Sequence, residues 1–332
     1  MLDRVSVLGS DFLPSAWMTN LVDSAASADW AEYGYNLFML SANALLLVHL
    51  ALILGWLLLR PAREMVASSS STVRYRSNGT FAKFFRSALF MLDESMREMV
   101  LKDVKTFSRS PGQWTQVLIF FGLLAFYIFN LRTFNYHIQG EYWKNIISYS
   151  NLTAIGLVLA SFTGRFVFPL ISLEGSRIWV LGLSPVPRSK IVMAKFWFSF
   201  IGSMSVSVLL VIASDLMLDL SFGTIVIHVS TMMLVCAGLS GLAVGLGSIF
   251  PNFEEDNPSR IISGFGGTIN LVFSLAYVIL TVFSVSLPYR LIPGALGNLL
   301  GLLAVGFAAV LAVFAAVIPM RIGIRTFEKT EF

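Results

Sequence analysis

The sequence predicts an all-α integral membrane protein of about seven transmembrane helices, and three observations support this. Hydrophobic residues make up 56% of the chain and charged residues 13%, where soluble domains carry about 45–50% and about 25%. Apolar runs of 20 or more residues recur, each long enough at about 1.5 Å per residue to cross a hydrocarbon core of about 30 Å. Once those runs are taken as spans, the basic residues sort by side.

Residues 1–34 are polar and mixed and are expected to form an external segment. A first span covers 35–59, and a basic segment follows at 60–113. Six further spans are expected at 114–134, 147–168, 194–218, 224–250, 264–287 and 292–319, forming a core over 114–320 before a short tail at 321–332. Segments 60–113, 172–195, 251–263 and the tail hold 18 of the 23 Lys and Arg. The opposite side holds four (Arg4, Arg132, Lys144 and Arg290), and Arg165 lies near the inner end of the third span. Such a bias places the N-terminus outside and the C-terminus in the cytoplasm.

Within 60–113 the Ser run at 68–71 reads as linker, and an amphipathic helix follows it. Leu92, Met96, Met99, Val100, Val104 and Phe107 share one face, opposite Glu94, Glu98, Lys102, Lys105 and Arg109. The helix suits the membrane surface just before a span, or the surface of a soluble partner. Asp103 intrudes on the apolar face.

No catalytic, cofactor-binding or metal-ligating set emerges from the sequence. All 19 Asp and Glu fall in loops, tails or span ends, with Asp215 the closest to mid-membrane. A transporter coupled to protons or sodium usually keeps ionisable groups inside its bundle, so this counts against that class. The 3 histidines are far apart and no HExxH occurs, which leaves zinc without ligands. Gly238-Leu239-Ser240-Gly241 resembles the GxSG of rhomboid proteases. Those enzymes need a later histidine, and here none follows His228. Ser240 therefore reads as a packing residue, and His49 and His228 as groups bonded to a neighbouring helix. The single Cys236 allows no intrachain disulfide, and a net charge of +4 distributed by membrane side gives no reason to expect nucleic acid. Gly238, Gly241 and Gly245 on the fifth span are expected to admit close helix packing, Gly241 and Gly245 forming a GxxxG.

Two inner loops share a pattern of capped, proline-stiffened entry into a span. In SLEGSRIWVLGLSPVPRSKIVMAKF (172–196), Ser184 can cap a helix with Pro185 and Pro187 in its first turn. Glu174 and Arg177 are spaced to pair on a short helix around 174–183 that also presents Trp179. In the second loop Asn257 is a natural cap with Pro258 first in the helix, and Glu254, Glu255 and Asp256 form an acidic turn.

The run from Phe168 through Glu174, Arg177, Trp179, Ser184-Pro185 and Lys195-Phe196 resembles the cytoplasmic loop of type-2 ABC exporter permeases. Lys102-Asp103 through Trp114 is similar to their interfacial connecting helix and first core span. Pro251-Asn252-Phe253 through Asn257-Pro258-Ser259 and Leu13 through Trp17 resemble further segments of the same group. The resemblance implies a six-span permease core preceded by one extra span and an interfacial helix, and a chain that is the C-terminal part of a longer permease. It also implies two permease copies or halves, with a separate ATPase subunit binding the ATP. The coupling residues would be Glu174, Arg177, Trp179, Ser184, Pro185 and Pro187. This chain carries no GxxxxGK[ST], so ATP belongs on the partner. The expected function is thus the membrane subunit of an ATP-driven exporter in a prokaryotic inner membrane. The alternatives are a secondary transporter or channel, and a membrane structural protein. The transported substrate is not legible.

Overall fold

A computed structural model describes residues 14–68, 89–90, 92–130, 141–177, 186–255, 257–291 and 295–329, which are helical or in turns and loops, without a strand among them. The chain divides into two compact units, Met1–Ser77 and Asn78–Phe332. In the first unit, α1 (Pro14–Ala26) and α2 (Trp30–Ser68) are joined by a tight turn. Ala28 takes a positive φ of 58° there. Asp29 then accepts from the backbone N–H groups of Ala31 and Glu32, both at 3.2 Å, which supplies the cap α2 needs. α2 overruns the expected span at both ends. His49, expected to reach a neighbouring helix, instead bonds through Nδ1 to the Leu45 carbonyl of its own helix at 2.9 Å. One turn back, that carbonyl is simply the nearest acceptor.

The second unit opens with the amphipathic helix α3 (Glu94–Ser108), whose first N–H is accepted by Asp93. α4 (Pro111–Asn130) follows almost at once with proline in its first position, where a missing N–H costs nothing. α5 (Glu141–Phe162) does not end cleanly. It runs into a π turn at Thr163–Val167, a 3₁₀ turn at Phe168–Leu170 and a kinked 3₁₀ segment at Ser172–Arg177. α6 (Arg188–Met217) and α7 (Phe222–Ile249) form a hairpin, with Asp219 at φ 51° in the turn and Ser221 capping α7. The short α8 (Pro258–Ser263) is capped by Asn257 with Pro258 in its first turn, as its sequence predicts. After a break at Gly264 come α9 (Phe265–Leu291) and α10 (Ala295–Lys329).

Six helical stretches among the described residues are long and apolar enough to cross a membrane, and a shorter apolar one, Gln113–Phe126, lies in α4. The protein is an all-α membrane protein. Its core centres on α7, packed most extensively on α10 and also on α6 and α9. Three glycines permit this. A side chain at Gly241 would overlap the Ala316 backbone, one at Gly245 would lie 2.5 Å from the Pro319 carbonyl carbon, and one at Gly238 would overlap the Tyr277 ring. The GxxxG of Gly241 and Gly245 therefore faces α10 of the same chain, where backbone meets backbone.

The apolar face of α3 lies largely against α6. Leu89, Val100 and Ala194 form a small core with Met99, Val104, Trp197 and Phe198 around it. Intramolecular packing thus covers much of the face for which the sequence suggested a lipid surface or a soluble partner.

Candidate functional site

Asp103, the acid on the wrong face of α3, has a partner there. Lys195 enters α6 about two turns after its start, and its side chain is only 4% exposed. Its ammonium donates to Asp103 Oδ1 at 2.7 Å and to Glu174 Oε1 at 2.5 Å. Lys102 Nζ donates to the same Glu174 oxygen at 2.6 Å and stands 3.7 Å from Asp103 Oδ1. Two ammonium groups thus face two carboxylates, which is the condition under which burying a charge is tolerable. The cluster joins three stretches distant in sequence: α3, the 172–177 segment and α6. A second, exposed tie links Asp93 at the start of α3 to Lys190. The Lys190 ammonium holds the Asp93 carboxyl below its ordinary value.

Glu174, expected to pair with Arg177, gives its carboxylate to Lys102 and Lys195. Gly175 beside it sits at φ 53°, ψ −140°, a conformation suited to glycine, and kinks the segment. Trp179, Ser184 and Pro185 lie outside the described residues, as do the side chain of Arg177 and most of the helix expected at 174–183. Pro187 is the N-cap residue of α6 in an extended conformation, rather than a first-turn residue.

The two loops on this basic side are bonded to each other. The backbone N–H of Asn252 donates to Ser172 Oγ at 3.0 Å, and Ser172 is fully buried. In the acidic turn, Glu255 accepts from the N–H of Asn257 at 3.2 Å and pairs with Arg260 at 3.3 Å. Glu254 donates its N–H to Asn252 Oδ1 at 3.2 Å, and Asp256 lies outside the described residues. No group of acids, histidines or cysteine able to hold a metal occurs among the described residues. Arg188 reaches the end of α10, donating to the carbonyls of Phe327 at 3.0 Å and Glu328 at 3.1 Å, where a helix leaves acceptors unpaired. The 172–177 segment, α3 and the end of α10 thus meet near the start of α6.

At the other end of α6, Asp215 Oδ2 lies 2.9 Å from His228 Nδ1 on α7, with both side chains buried. Tyr149 packs edge-on against the imidazole at 4.9 Å. This is the neighbouring-helix bond expected of His228. Ser240 accepts a hydrogen bond from Ser199 at 2.8 Å, in keeping with a packing role.

Sequence reasoning missed Lys195 and Asp103 as a pair. The signal was present: a lysine inside the apolar start of a span and an acid on an apolar face each demand a buried partner. Each was the answer to the other.

A family model described as "Putative ATP-binding cassette" matches residues 1–332. No curated protein and no solved structure matches.

Proposed function

This chain belongs to the family so described, and we propose that it is the membrane-spanning permease subunit of an ATP-binding cassette exporter. In this reading a separate ATPase subunit holds the nucleotide, and these 332 residues, which carry no GxxxxGK[ST] to cradle a phosphate, are the part that it moves. The observation that carries this reading is the Lys195 cluster. A load applied to the 172–187 loop acts on Glu174, and through Lys195 and Lys102 on α6 and α3 together. The basic bias supports a cytoplasmic position for this end, which in our reading faces the inside of a prokaryotic inner membrane, where an ATPase would dock. Ser172 and Asn252 make the two loops one docking platform. In this reading Arg177, Trp179 and the stretch Ser184-Pro185-Val186-Pro187 are the contacts to the ATPase, while Glu174 is tied to Lys102 and Lys195. A second permease copy or half completes the path.

The test is co-expression with the P-loop ATPase encoded nearest this reading frame. The exporter reading expects the two to co-purify, ATP-driven transport to require this chain, and Arg177→Ala with Trp179→Ala to weaken the association without lowering the unfolding temperature. An ATPase that neither binds nor supports transport overturns it. One observation favours a second reading, a secondary transporter: the buried Asp215–His228 pair is an ionisable site inside the bundle. Transport driven by a proton gradient without ATP, and lost in His228→Gln, would select that reading.

A further inference from the structure

Arg165 lies inside the candidate span Lys144–Gly175. Lys195, the cation buried in α6, is matched there by Asp103 and Glu174. Arg165 has no such match, for among the described residues it makes neither an ion pair nor a hydrogen bond. A cation within a span and without a counter-charge calls for an anion from outside the chain. Its place in the backbone is also unusual. Arg165 stands in the π turn at Thr163–Val167, an interruption that α-helices carry mostly at functional sites.

The residue lines a cavity of about 380 Å³ between α4, the end of α5, α8 and the start of α9. Ser161, Ser259 and Thr268 line it as well, and no carboxylate does. Arg165, Ser161 and Ser259 are exposed, and the two serine hydroxyls make no hydrogen bond among the described residues. All three are therefore open to a ligand. Phe120 and Leu271 add apolar wall, and Leu271 is 41% exposed beside the exposed Val272 and Phe273.

These groups constrain what fits. A guanidinium presents paired N–H donors in one plane, which phosphate and carboxylate oxygens accept together. The hydroxyls extend the donor set beyond what a carboxylate's two oxygens can use, which favours phosphate. A zwitterionic lipid would bring a second cation beside Arg165, where no carboxylate lines the wall to receive it. The basic bias supports a cytoplasmic position for the 251–263 segment that holds α8, and a basic pocket between spans at that level suits an anionic lipid headgroup.

We propose that this cavity binds the phosphate diester of an anionic phospholipid, with Arg165 holding the phosphate, Ser161 and Ser259 donating to its oxygens, and the acyl chains running along Phe120 and Leu271. The site does not depend on the exporter reading.

The test titrates the detergent-solubilised full chain with phosphatidylglycerol, phosphatidylcholine, a fatty acid of equal chain length and soluble glycerol phosphate, and counts bound equivalents by native mass spectrometry. The expected result is saturable binding of phosphatidylglycerol, preferred about fivefold over phosphatidylcholine. Arg165→Gln should erase that preference. Arg260→Gln should leave it, since Arg260 is 74% exposed, pairs with Glu255 and does not line the cavity. Ser259→Glu sets a carboxylate on the cavity wall in the first turn of α8, where an acid suits a helix. It should erase the preference likewise, and it serves should Arg165→Gln fold poorly. Equal binding of the two phospholipids, a preference that survives both Arg165→Gln and Ser259→Glu, or one lost as fully in Arg260→Gln, means general attraction of lipid and overturns the site. Displacement of phosphatidylglycerol by equimolar glycerol phosphate overturns the lipid assignment, and displacement by equimolar fatty acid overturns the phosphate.

Discussion

The two ends of α6 carry similar chemistry put to different uses. Lys195 and Asp215 are 20 residues apart on this helix, or about 30 Å, the thickness of a hydrocarbon core. Each is buried and each has an ionisable partner. Asp215 bonds a residue 13 positions away, across the turn of a single hairpin. Lys195 bonds residues 92 and 21 positions away, in two other segments. The first pair braces two helices that would be neighbours anyway. The second gathers parts that have no other reason to stay together. An ion pair that closes a hairpin adds stiffness, whereas one that joins distant segments decides which parts move together.

The comparison breaks most severely at Lys195. Replacing it by methionine leaves Asp103 buried beside no cation but Lys102, and removing one partner of a buried pair costs about 3–5 kcal/mol. Thermal unfolding in detergent should show that loss, and Lys195→Met with Asp103→Leu should recover most of it. A double variant no more stable than the single would mean that the pair is not the main tie. Gly241→Leu, on the helix packed beside α6, gives a reference that favours neither end. Forcing a side chain into the Ala316 backbone costs about 1–3 kcal/mol or more by overpacking. The variant should lose folded yield, and wild-type yield and unfolding temperature would argue against the close α7–α10 packing.

His228→Leu tests the Asp215 end of α6. It deprives Asp215 of its imidazole partner and should cost about 1–3 kcal/mol, while leaving any ATPase association intact. Equal damage to association would erase the distinction between the two ends. Asp93→Asn should have the smallest effect, since that carboxylate is half exposed and solvent screens its tie to Lys190. Its folded carboxyl is held below the ordinary value of 3.8 by Lys190. The stabilisation is therefore complete well above pH 3.8 and fades as pH falls through the lower folded value. Unfolding temperatures of wild type and variant should differ slightly at neutral pH and converge in acid. Curves that diverge in acid would reverse the sign.

The spans were legible because the length of an apolar run is a local property. So were the cap at Asn257 and the buried bond of His228. Glu174 was singled out for a contact with Arg177, and its contacts with Lys102 and Lys195 were not foreseen. Its pairing depends on Gly175, whose backbone turns away from the helical path on which i, i+3 reasoning rests. Lys195 was counted towards topology because a lysine near the end of a span usually reaches water. Only the arrival of α3 against α6, joined through contacts nearly a hundred residues apart, makes it a buried cation. α3 itself was drawn correctly, and what covers its apolar face is a matter of tertiary packing that periodicity cannot name.

The π turn at Thr163–Val167 has a consequence for the permitted length of this stretch. A π turn holds one residue more than the α turn it replaces. Everything after it is therefore advanced by about 100° around the axis relative to an uninterrupted helix. Phe168, almost fully buried, and Glu174 both lie downstream and take their orientation from that offset. Losing a single residue between 163 and 167 would restore a regular helix and turn the Glu174 carboxylate away from Lys195 without changing any side chain. Among relatives that keep the Lys195 cluster, the distance in residues from α5 to position 174 should be invariant even where the surrounding side chains drift, whereas the turn between α6 and α7 is free to lengthen.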